Sequence, residues 1–85
     1  MKIVNEFANK YGRFTIFEMN NKFIIKIEKG NYEQIYKLNT LDFLIQSSED
    51  INKIFDDIFL QKVDERFLQM HNDFNLSICS LYLKN

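Results

Sequence analysis

Residues 13–38 read RFTIFEMNNKFIIKIEKGNYEQIYKL, and this stretch decides the fold. Two runs rich in Phe, Ile and Thr, 13–19 and 22–29, meet at Asn20-Asn21. Asn tolerates positive φ better than other residues that carry a side chain, so the pair suits a two-residue hairpin turn. Gly30-Asn31 offers a second such turn and leads into a third run, 32–38. Three strands joined by two tight turns make an antiparallel meander. Turns this short also set the register. Phe17 then faces Ile24, Ile16 faces Ile25 and Phe14 faces Ile27, while Ile25 faces Tyr36 and Phe23 faces Leu38. One face collects Phe14, Ile16, Phe23, Ile25, Ile27, Tyr36 and Leu38, which makes it a core face. The other mixes Thr15, Phe17, Met19, Ile24 and Ile35 with Lys22, Lys26, Lys37, Glu28 and Glu33.

On the N-terminal side, Ile3, Val4, Phe7, Ala8 and Tyr11 fall at helical spacing, with Gly12 placed to end a helix in the left-handed conformation. On the C-terminal side, residues 40–46 leave two options, a helical turn capped by Thr40 or a continued strand. Ser47-Ser48-Glu49-Asp50 reads as a helix start, a hydroxyl cap followed by carboxylates in the first turn. Ile51, Ile54, Phe55, Ile58 and Phe59 form one apolar stripe, and Leu60, Val63, Phe67, Met70 and Phe74 form another. At about 100° per residue the second stripe is rotated by roughly 130° from the first, which predicts two helices meeting near residues 60–62. Residues 76–83 suit either a strand or a short helix. The expected fold class is α+β: an N-terminal helix, a three-stranded antiparallel meander, two C-terminal helices packed on one sheet face, and a short terminal element. All of it forms a single domain, 1–85, since a core of this size does not divide.

Nine Phe and four Tyr supply large apolar surfaces to a chain of 85 residues. The dominance of Asn, Ile, Lys and Phe points to an AT-rich genome. A single cysteine, Cys79, forms no internal disulfide, and Glu6 and Asn9 interrupt the apolar run a signal peptide needs. A cytoplasmic protein with no membrane association is the expectation. The net charge of −1 conceals a polarity. Residues 1–40 carry seven basic and four acidic side chains, and residues 41–85 carry four basic and eight acidic ones.

Catalytic chemistry has little to work with. His71 is the lone histidine, and its separation from Cys79 matches no thiolate–imidazole signature. No metal-ligand spacing and no Gly-rich phosphate loop occurs, so neither an enzyme nor a cofactor is expected. Two surfaces remain as candidates. Between Asp42 and Glu65 lie seven acids and two lysines. Of these, Asp50, Asp57 and Asp64 recur every seven residues, with Asp56 and Glu65 beside them, an acidic face that a basic site on another protein could take. The mixed sheet face offers Phe17, Ile24 and Ile35 among Lys22, Lys26 and Lys37. With only two arginines and a slightly negative total charge, direct nucleic-acid binding is disfavoured there.

In size and element order the chain resembles some small phage-encoded anti-CRISPR proteins, a likeness of fold rather than of motif. That resemblance implies occlusion of a partner's nucleic-acid site by an acidic surface. The functional expectation is a non-catalytic protein-binding module, an inhibitor or immunity-type protein of a phage or mobile element. The expected partner is another protein, a nucleic-acid-binding protein or complex among the candidates. The alternatives are a nucleic-acid-associated regulator using the lysine-bearing face, and a homodimeric subunit joined through that face.

Overall fold

The computed structural model describes residues 1–43, 45 and 47–83. The meander has four strands, not three: β1 (Lys2–Asn9), β2 (Gly12–Met19), β3 (Lys22–Lys29) and β4 (Tyr32–Asn39), paired antiparallel in the order β1-β2-β3-β4. Among the described residues three helices follow, α1 (Thr40–Phe43), α2 (Ser48–Asn52) and α3 (Asp57–Leu83). The register read from the turns holds throughout β2, β3 and β4: Phe14 pairs with Ile27, Ile16 with Ile25, Phe17 with Ile24, Ile25 with Tyr36 and Phe23 with Leu38. Asn20 and Asn21 take φ of 47° and 62°, the positive pair that a type I′ hairpin demands. Gly30 opens the next turn at φ 60°.

The expected N-terminal helix is a strand, and its helical spacing has a local cause. Ile3 pairs with Phe17 but Asn5 pairs with Ile16, so Val4 is the extra residue of a β-bulge. The bulge lets Val4 and Phe7 both pack toward the core while Ile3 points to the opposite face. Period-2 alternation is lost, and an i, i+4 pattern takes its place. A nine-residue helix is also marginal in water, whereas β2 presents an open edge whose backbone groups need partners. Gly12 ends no helix. It begins β2 directly beside the Glu28 carbonyl.

The C-terminal half departs from expectation in a second way. There is one long helix, α3, preceded by two short ones, and the break falls at residues 53–56 rather than 60–62. Asp56 sets that position: its Oδ1 accepts from the Phe59 N–H at 2.8 Å and its carbonyl from the Leu60 N–H at 3.0 Å, which caps α3. α2 does begin at Ser48 with Ser47 extended before it, but the expected hydroxyl cap is not made, since Ser47 forms no side-chain capping bond, and α2 ends after five residues. Residues 40–43 are the helical turn, capped by Asn39, whose Oδ1 accepts from the Leu41 N–H at 3.0 Å. Thr40 instead ties back to the first hairpin through the Asn21 carbonyl. Residues 76–83 form no separate element; through Leu83 they continue α3.

All three helices follow β4, and the packed helical side chains lie on the core face of the sheet. Phe14, Ile16, Phe23, Ile25 and Ile27 are buried against Ile51 of α2 and Leu60, Val63 and Phe67 of α3. Phe7 stacks on Phe14 at 4.8 Å, and Phe55 meets both rings edge-on. One polar group joins sheet to helix within this core. Gln34, itself buried, donates from Nε2 to the Val63 carbonyl at 3.0 Å and accepts from the Tyr36 hydroxyl at 2.5 Å. Tyr36→Phe leaves the Gln34 oxygen short of a donor, so urea denaturation should show a loss of about 1–2 kcal/mol without change of fold.

Candidate functional site

With the helices on one side, the opposite side of the sheet stays open, and the register arranges it in rows. Ile3, Phe17, Ile24 and Lys37 run across the four strands in one row, and Glu6, Thr15, Lys26 and Ile35 in the next. The first is an apolar band ending in a cation. Ile3 is 55 % exposed and Ile35 50 %, while Phe17 and Ile24 are half-buried. The three lysines expected here are not equivalent. Lys26 lies 3.5 Å from Glu33 and 3.8 Å from Glu28, a cation neutralised within the sheet. Arg13 pairs with Glu6 on the same face. The hydrogen bond to Glu6, then its charge, then the charge of Glu28 hold the guanidinium above even its ordinary high pKa. Lys22 and Lys37 stand at the end of the face that carries Phe17 and Ile24, both exposed.

The acidic residues do not form one stripe. Asp50 belongs to α2, where it pairs with Lys53 at 3.5 Å, while Asp57 and Asp64 belong to α3. Between them the chain turns, so the seven-residue spacing spans a break. Asp56 is committed to the cap, Glu65 pairs with Lys62 at 3.6 Å, and Asp64 bonds Lys29 at 2.7 Å. Exposed pairs of this kind contribute about 0–1 kcal/mol each. Their effect is to cancel charge locally, which weakens the acidic face as a mimic of nucleic acid.

Beside the Lys29–Asp64 pair a groove of about 430 Å³ runs between the β3–β4 turn and α3, lined by Lys29, Gly30, Tyr32, Asp64, Phe67 and His71. His71 is spoken for on both ring nitrogens: Nδ1 lies 3.1 Å from the Tyr32 hydroxyl and Nε2 3.0 Å from the Asn75 amide. Cys79 is exposed and lies about 12 Å further along the helix axis, turned by about 80°, so it makes no pair with His71. Among the described residues no three His, Cys, Asp or Glu side chains converge on a metal position, and no buried side-chain polar atom lacks a partner. No helix of the described residues is long and apolar enough to cross a membrane.

Two features fall outside the sites expected from the sequence. Ile3 joins the sheet-face row only because of the bulge. Past Phe74, α3 also runs clear of the sheet, and its signal was in the sequence: Leu60, Phe67, Phe74 and Leu81 recur every seven residues, and 74–83 contain no charge. Compared with protein-family models, with curated proteins and with solved structures, the chain finds no match.

Proposed function

We propose that the chain is a small non-catalytic protein-binding module that engages a partner protein through the open face of its sheet. The observation that carries this reading is the uncovered Ile3–Phe17–Ile24 row, flanked by Lys22 and Lys37. An apolar centre with a charged rim is the usual anatomy of a protein interface. Neutralisation of Lys26 by Glu28 and Glu33 argues against a polyanion, which needs an uninterrupted cationic track. The complementary partner surface is apolar, with carboxylates placed to meet Lys22 and Lys37. Action is by occupancy: the module covers a surface that something else would use. The likeness to anti-CRISPR proteins lends no support, because it rested on an element order that the fourth strand and the single long helix replace.

The test is a capture experiment with the native host extract, using wild type beside Phe17→Thr/Ile24→Thr. Both threonines keep β propensity on a solvent face, so the sheet survives. Any protein retained by wild type should bind the double variant about 10- to 100-fold more weakly by calorimetry. Equal affinity of the two chains removes the sheet face from the interface. Oligonucleotide binding that disappears in Lys22→Glu/Lys37→Glu would replace the protein partner with a nucleic acid.

A further inference from the structure

We propose that the projecting half of α3 pairs antiparallel with the same segment of a second copy, making the chain a homodimer through its helix. This surface is separate from the sheet face and does not depend on that reading. Leu60, Val63, Phe67, Met70, Phe74, Ile78 and Leu81 all lie within about 40° of one line along α3. The first four pack on the core. Phe74 reaches Tyr32 with its ring at 6.3 Å. Past that point the stripe continues without a sheet beneath it. A helix of 27 residues is about 40 Å long, against about 27 Å for strands of eight. Phe74 is 56 % exposed and Leu81 70 %.

Three observations favour a second copy as the partner of this segment. The first is area. Compact monomers of 10.3 kDa expose about 5,400 Å² by mass scaling, whereas this chain exposes 6473 Å². The excess of about 1,100 Å² exceeds the roughly 800 Å² that each partner contributes to a standard interface. Shape agrees: the radius of gyration is 15.8 Å, against about 12 Å for a compact chain of this length. The second is charge. Residues 74–83, FNLSICSLYL, carry none, so the segment offers nothing to a charged partner and everything to an uncharged apolar helix like itself. The third is propensity. Asn75, Ser77, Ile78, Cys79 and Ser80 are weak helix formers, and no basic side chain among the described residues supports the last turn. An overhang of this composition holds its helix when packing supports it.

A two-fold arrangement satisfies these demands with like surfaces. Placing Phe74 opposite Leu81 of the second copy puts the small Ser77 opposite Ile78, so bulk meets a gap at the centre. Each overhang then fills the space past the end of the other's sheet.

Light scattering after size exclusion, across protein concentration, tests the pairing. Wild type should have about twice the chain mass, and Ile78→Glu/Leu81→Glu should be monomeric, its dimer dissociation constant raised at least about 100-fold. Both positions lie off the sheet, so strand circular dichroism should not change. Leu76→Glu puts the same charge on the opposite side of α3 and should remain a dimer. A wild type that stays monomeric at high concentration overturns the proposal, as does a dimer that survives Ile78→Glu/Leu81→Glu or is lost in Phe17→Thr/Ile24→Thr. So does a monomeric wild type that binds zwitterionic lipid vesicles. For orientation, in a Cys79→Ser background, Phe74→Cys mixed with Leu81→Cys should crosslink more strongly than Phe74→Cys alone; the reverse order would overturn the antiparallel geometry.

Discussion

Phe14→Ala is expected to lower the free energy of unfolding by about 3–5 kcal/mol, the largest single loss in this chain. Phe14 is fully buried at the centre of the core face. It stacks on Phe7 at 4.8 Å and meets Phe55 edge-on at 5.1 Å, so it joins the bulged edge strand to the connection before α3. Truncation forfeits the transfer term and leaves a cavity between two flat rings that cannot collapse into it. A domain of 85 residues has about 4–13 kcal/mol of total stability, so the loss removes about a quarter of it or more. At 4–8 °C per kcal/mol, the melting temperature should fall by about 12 °C or more. Urea denaturation at one fixed protein concentration is the measurement, because self-association would otherwise shift the midpoint. A loss below about 1 kcal/mol would mean that Phe14 is not the keystone of the core.

The second large effect is expected at Gly12. A Cβ there would stand 2.5 Å from the Glu28 carbonyl oxygen and 3.3 Å from its carbon, both backbone atoms of the neighbouring strand. The residue also holds φ +138°, where side chains are strained. Backbone held by strand pairing on both sides yields little, so Gly12→Ala should cost about 2–5 kcal/mol, strain and overpacking together. Gly30 is the control. Its φ is +60°, but nothing lies within 4 Å of the added carbon. Gly30→Ala should therefore cost only about 1–2 kcal/mol, the torsional part alone. Comparable losses in the two variants would show that crowding against Glu28 plays no part.

What could be read in the chain depended on how local the determining physics was. The hairpin at Asn20-Asn21 was legible because positive φ is a property of the residues themselves, and the register followed from turn length. Candidate site residues on the sheet face were legible for the same reason: once register is set, Phe17, Ile24, Lys22 and Lys37 must share a side. Their electrostatic inequality was not, since Lys26 is neutralised by side-chain reach along β3 to Glu28 and across to Glu33 of β4. The acidic spacing misled because periodicity assumes an unbroken helix, and Asp56 breaks it.

Residues 13–38 by themselves determined a meander with one apolar face, through alternation and turn chemistry acting over neighbours in sequence. Tertiary structure decided most of the rest. The segment 2–9 became a strand because β2 had an unpaired edge, and a bulge at Val4 let side chains at helical spacing serve a sheet. The break before α3 went where Asp56 could cap, and the sheet's finite length decided where α3 would outrun its support. The strand and the overhang depend on pairing and packing between separate elements, which the periodicity of one segment does not report, whereas the Asp56 cap is local, made with the N–H three residues on.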